Sequence, residues 1–294
     1  MNCDGGYRIG TILNNTNDSS NLRSYLRLQY AITSEHGSWV FLLSPLLIGL
    51  FIGDTFTFAS FFLVIAVLAA FLIRQPVTIA VKAYSGRRSR ADLPGARFWM
   101  LVYGLIGLIA LGGLLIEGYA YLLTLAIPGL PVFAWHLWLV SRRQERRQPG
   151  VEIIGSGVLA LSAPAALWVA RGSMDPLGWW LFLLTWFQSA ASIVHAYLRL
   201  QQRELKTTPP ISERLGMGRR AMGYTTFNLA AVIMLSLASI LPTWLFVPYA
   251  IQWMETLYGT LRPAVGFKPT RIGIRQLIIS TLFTLCFILS WIAT

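Results

Sequence analysis

At 294 residues the chain is 55% hydrophobic and 12% charged, about half the charged share of an average soluble protein. The apolar residues run in long blocks rather than amphipathic stripes, which excludes an ordinary water-soluble domain and points to lipid as the solvent. The formal charge of +12 lies between those blocks, so it reads as a topology signal before it reads as a nucleic-acid footprint.

Residues 1–33 form a polar tail rich in Asn, Ser and Gly. Leu22, Leu26 and Tyr30 recur there at helical spacing beside Arg23 and Arg27, so the tail is either solvated or carries a short interfacial helix. We expect no signal peptide, because the tail lacks an apolar core and a small-residue cleavage site. Residues 34–294 form the membrane domain. Its apolar blocks lie near 37–53, 56–73, 98–116, 118–140, 152–170, 177–198, 221–240, 242–258 and 275–293. A spanning helix needs about 20 residues, so the pattern predicts an all-α, polytopic bundle of about nine transmembrane helices. Pro128 and Pro131 fall inside the fourth block and Pro164 inside the fifth, where they predict kinks. Gly104, Gly107, Gly112 and Gly113 give the third block a small-residue face for close packing.

The connections alternate between short, weakly charged turns and long basic loops. Of the 24 Lys and Arg residues, all but Arg171 fall on one side of the predicted bundle. By the positive-inside rule that side and the N-terminus are cytoplasmic, and nine spans then put Thr294 outside. A bacterial inner membrane, or a comparable internal one, is the expected location.

Polar groups near the membrane gather at the basic end. Glu35 and His36 precede the first helix, Arg74 and Lys82 follow the second block, His195 and Arg199 close the sixth, and Glu255 and Arg262 end the eighth. A charge at that depth must pair, snorkel or line a wet cavity. His195, Arg199 and Arg203 are spaced by four and share one helix face, which Gln188 and Ser192 extend inward. Such a stripe either binds a phosphate or carboxylate or merely sets topology. The candidate anion-binding set is Arg74, Lys82, His195, Arg199 and Arg262; the acid–base candidates are Glu35, His36 and Glu255. Cys3 and Cys286 have no metal-ligand spacing, and no nucleotide, zinc-protease or hydrolase motif occurs, so neither metal nor cofactor is expected.

At Glu35-His36-Gly37-Ser38-Trp39, running into an apolar helix with Pro45, the sequence resembles the YwiC-like family of bacterial membrane proteins. Arg74-Gln75-Pro76 and Lys268-Pro269-Thr270-Arg271-Ile272-Gly273 fit the same resemblance. It implies a multi-pass membrane protein and carries no activity with it. Nine helices with large loops after the second and sixth also resemble the architecture of UbiA-type prenyltransferases, which hold magnesium and a diphosphate through aspartate-rich motifs. This chain departs from that pattern, since residues 74–91 and 188–203 contain no Asp or Glu. Without carboxylates magnesium-dependent prenyl transfer is not expected, though Arg can meet a phosphate directly. The sequence therefore leads to a membrane protein that binds an isoprenoid or lipid with an anionic head, and not nucleic acid. A small-anion transporter and a non-catalytic assembly partner are the alternatives.

Overall fold

The structure, a computed structural model, describes residues 28–31, 36–144 and 148–293. Among them there are nine helices longer than one turn and no strand. They are α1 (His36–Gly53), α2 (Phe58–Tyr84), α3 (Leu93–Ile116), α4 (Ala126–Ser141), α5 (Pro149–Ala160 continued by Ser162–Arg171), α6 (Leu177–Arg203), α7 (Ile211–Leu237), α8 (Phe246–Leu261) and α9 (Pro269–Ile292). Six are long and apolar enough to cross a membrane: α2, α3 with its lead-in from Arg90, α4 with its lead-in from Ala120, α5, α6 and α9. A helix satisfies its backbone polar groups within its own segment and needs no water to do so, which suits a chain whose apolar residues run in long blocks. The chain is an all-α, multi-pass membrane protein.

Most of the tail lies outside the described residues, as do Glu35, Arg146 and Arg147. Its described turn, Leu28–Ala31, is docked on the bundle: Tyr30 is buried and donates to Asp92 Oδ1 at 2.6 Å.

α1 and the second half of α5 make the tightest seam. In lipid there is no hydrophobic drive between helices, so close van der Waals contact between small residues does the work. A Cβ on Gly49 would lie 2.2 Å from the Ala163 carbonyl oxygen, and one on Gly53 would lie 2.2 Å from Ala170 Cβ. Gly49 and Gly53 are one turn apart, and they meet Ala163, Ala166 and Ala170 on α5. Every residue from Ser162 to Ala170 is buried. α5 breaks at Leu161, three residues before Pro164. Pro164 has no N–H for the Ala160 carbonyl, and its ring crowds that carbonyl. Ser162 Oγ instead lies 2.7 Å from the Leu159 carbonyl and 3.3 Å from that of Leu42 on α1.

Three helices run furthest beyond the apolar blocks of the sequence expectation. α2 does not end at Arg74-Gln75-Pro76 but continues to Tyr84, with Pro76 inside it. α7 starts at Ile211, ten residues early, and so carries Arg214, Arg219 and Arg220 on helix. α9 starts at Pro269. Each extension carries basic residues into helix beyond the apolar block, which hydropathy alone does not register. The glycine face of α3 does meet α2, with Gly113 against the Phe62 ring and Gly107 against Ala69; Gly112 meets nothing within 4 Å.

Hydrogen bonds tie the helix ends into two sets. Arg87 after α2 donates to the Val140 carbonyl of α4. Tyr197 of α6 donates to Glu152 at the start of α5. Arg214 of α7 donates to the Leu261 carbonyl of α8. These bonds collect the four basic loops at one end. At the other, Tyr121 donates to the Trp168 carbonyl and Ser290 to the Trp244 carbonyl.

Candidate functional site

A cavity of about 570 Å³ opens between α6, α8 and α9. Polar residues facing one another bridge these helices. Gln276 of α9 donates to Ser192 Oγ of α6 at 2.9 Å. Gln252 of α8 donates to the Gln188 carbonyl at 3.0 Å. Thr256 and Ser280 complete the polar wall, while Ile274, Ile278, Ile279 and Phe283 make the apolar one.

Towards the basic end the cavity wall becomes cationic. His195, Arg199, Lys268, Arg271 and Arg275 line it, with Glu255 as the one carboxylate. Arg275 holds Glu255 in a bidentate pair, Nε to Oε1 at 2.6 Å and a terminal nitrogen to Oε2 at 2.7 Å. His195 Nε2 reaches the same Oε1 at 3.8 Å. The Arg275 guanidinium lies 4.4 Å from the Tyr258 ring centre, and that of Arg271 lies 4.4 Å from the Phe267 ring centre. His195 packs on bare backbone: a Cβ on Gly259 would come within 2.5 Å of its Cε1. Two buried atoms here, His195 Nδ1 and Gln252 Oε1, have no hydrogen-bond partner among the described residues.

Arg199 serves the wall more than the space. It is 4% exposed, and one of its terminal nitrogens lies within 3 Å of three acceptors: Gln202 Oε1, the Gly259 carbonyl and the Arg262 carbonyl. Gln202 closes the network by donating to Gly259 and accepting from the Ala264 N–H. A charged donor on carbonyls is about twice as strong as a neutral one. The network therefore clamps the end of α8 and the loop after it onto α6.

Of the sequence candidates, the structure brings together His195, Arg199 and Glu255. Arg262 follows α8 with an exposed side chain, and its carbonyl rather than its guanidinium meets Arg199. Arg74 and Lys82 are on α2 and do not line the cavity; Arg74 lies over the Phe71 ring at 5.6 Å. His36 is the first residue of α1, and Glu35 lies outside the described residues. Both oxygens of Glu255 are taken by Arg275, so it enters any chemistry as a paired carboxylate. Sequence reasoning missed Lys268, Arg271 and Arg275 as site residues. Their signal was present: Arg271 and Arg275, spaced by four, fall on one helical face, and Lys268 immediately precedes that helix. Among the described residues no group of three or more His, Cys, Asp or Glu side chains is arranged to hold a metal ion.

The family model for YwiC-like proteins matches residues 32–167. A curated relative, the uncharacterized protein YwiC of Bacillus subtilis (strain 168), is 26% identical over 152 residues. That alignment covers 52% of this chain, and the chain spans 59% of the relative's length. No solved structure matches. The family match contains Glu35-His36-Gly37-Ser38-Trp39 and Arg74-Gln75-Pro76, and it includes the α1–α5 seam up to Leu167. The cavity, built from residues 188–283, lies beyond it. Across residues 32–167 the chain is similar to the YwiC-like family.

Proposed function

We propose that this membrane protein binds an isoprenoid or lipid with an anionic head in the cavity between α6, α8 and α9. One observation carries the reading: within a single cavity a cationic mouth continues into an apolar wall. Lys268 and Arg271 receive the head, and Ile274, Ile278, Ile279 and Phe283 flank the tail. Arg suits this role because its planar fork matches phosphate and carboxylate oxygens. The basic end faces the cytoplasm of a bacterial inner membrane or a comparable internal one, a reading supported by the gathering of the four basic loops at one end.

The test is purification in mild non-ionic detergent, followed by mass spectrometry of the lipids and isoprenoids that stay bound. A specific anionic amphiphile is expected with the native chain and at least tenfold less of it with Arg271→Glu. No lipid above background, or equal retention by the variant, defeats the proposal.

Transport of a small anion is the second reading. It is favoured by the polar wall, which continues inward past the cations to Gln188, Ser192 and Gln252. Proteoliposomes separate the two: transport requires that a labelled anion cross the membrane, whereas lipid binding does not.

A further inference from the structure

Glu255 Oε1 is shared. Arg275 Nε holds it at 2.6 Å from α9, and His195 Nε2 approaches it at 3.8 Å from α6. An anion that enters beside Lys268 and Arg271 reaches Arg275 one helical turn further in, and there it competes with Glu255 for the same guanidinium. The pair has one fork and two claimants. A carboxylate stripped of its arginine inside a low-dielectric wall is costly unless another cation replaces it. Among the described residues, His195 is the other side chain within ion-pair distance of Glu255.

We propose that anion binding at this site takes up one proton, with Glu255 as the internal anion that the ligand displaces and His195 as the group that becomes charged. The inference rests on the amphipathic-anion reading above and adds the coupling to it. The exchange balances. The two N–H···O bonds from Arg275 to Glu255 break, and Arg275 donates to the ligand's anionic oxygens. A proton from solution completes the imidazolium, whose Nε2–H then pairs with Oε1. Charge in the wall rises by one as the ligand brings one negative charge.

The other groups around the pair do not compete for that proton. Arg199, on α6, keeps its charge and is engaged by three acceptors. Tyr258, on α8, lies under the Arg275 guanidinium. Arg271 on α9 and Lys268 before it line the same cavity. α1 packs on α6 and α9 and has no charged residue from 37 to 53. α5 packs on α6 and brings Glu152, which Tyr197 takes. α7, against α8, brings Arg214, bonded to the Pro209 and Leu261 carbonyls, and the exposed Glu213, Arg219 and Arg220.

The probe is lysophosphatidylglycerol, a phosphodiester amphiphile whose charge is constant between pH 6 and 8, titrated calorimetrically into the full chain in non-ionic detergent. Measured in buffers of different ionisation enthalpy, binding should take up about one proton per ligand. Its affinity should rise by up to about tenfold per pH unit as pH falls. Glu255→Gln should bind more tightly at pH 8 and lose the pH slope; His195→Gln should lose the slope and bind more weakly. Saturable binding by the native chain with no proton uptake and no pH dependence overturns the coupling and leaves the lipid-binding reading standing. Absence of saturable binding, or binding indifferent to Arg271→Glu, overturns that reading and the coupling with it. The proton count on the native chain needs no variant, so misfolding of Glu255→Gln does not protect the proposal.

Discussion

Two junctions in this bundle are built on opposite rules. Where α1 meets α5, glycines and alanines remove side chains until backbone touches backbone, and no room is left. Where α6, α8 and α9 meet, Gln, Ser, Thr, His, Glu and Arg side chains reach across, and a cavity of about 570 Å³ remains. In lipid both are ways to hold helices together, one by contact and one by hydrogen bonds that have no water to replace them. The difference teaches where ligands can go: the small-residue seam can only be structural, and the polar junction is the one with space and charge. The family match runs along the seam and stops before the cavity.

The seam is where a single added side chain should do most damage. Gly49→Val puts atoms onto the Ala163 carbonyl, which belongs to a buried helix and cannot retreat. We expect a loss of about 3 kcal/mol or an aggregated protein, read by thermal unfolding and size-exclusion profile in detergent. Gly112→Val on α3 is the control, since nothing lies within 4 Å of that position, and it should leave both readouts unchanged. Equal damage from the two would mean that helix propensity, not the seam, sets the cost. At the polar junction the sharpest loss is Arg199→Met. It keeps a long side chain but leaves the buried Gly259 carbonyl and the Arg262 carbonyl without their charged donor. About 2 kcal/mol is expected, with faster proteolysis of the loop after α8 as the local signature. An unchanged melting temperature would demote the clamp to a passive contact.

The sequence carried the all-α, multi-pass character because its apolar residues run in long blocks, and six of the resulting helices are long and apolar enough to cross a membrane. It carried His195 and Glu255 because titratable side chains beside apolar blocks need a partner. It did not carry the pairing of helices. Gly49 and Gly53 look ordinary until Ala163, Ala166 and Ala170 are known to lie opposite, more than a hundred residues later. Arg271 and Arg275 look like loop cations because the polar first turn of α9 conceals that the helix starts at Pro269. Arg74 and Lys82 failed to join the cavity for a related reason. α2 runs on to Tyr84 and packs chiefly on α3, so these cations follow a different helix pair.

The smallest effect belongs to the end of the bundle with few charges, and it tests whether polar contacts matter there too. Asp175 sits in the turn between α5 and α6. Its Oδ1 accepts the Leu177 N–H at 2.7 Å, its Oδ2 pairs with Arg171, and its carbonyl accepts the Trp168 indole N–H at 2.8 Å. Burial works to raise its carboxyl pKa, but the Leu177 N–H and the Arg171 guanidinium outweigh it and hold the group below the usual value of 3.8. A depressed carboxyl stabilises the fold fully above the unfolded value and loses that contribution as pH falls through the folded one. Asp175→Asn should therefore cost a constant amount above about pH 5, on the order of 1 kcal/mol, and the gap to the native chain should close below pH 3.8. Melting curves in non-ionic detergent from pH 7 to 3 measure it. A gap that stays constant into acid would mean that the side chain acts there through its hydrogen bonds alone, and that charge contributes to this bundle only at the opposite, basic end.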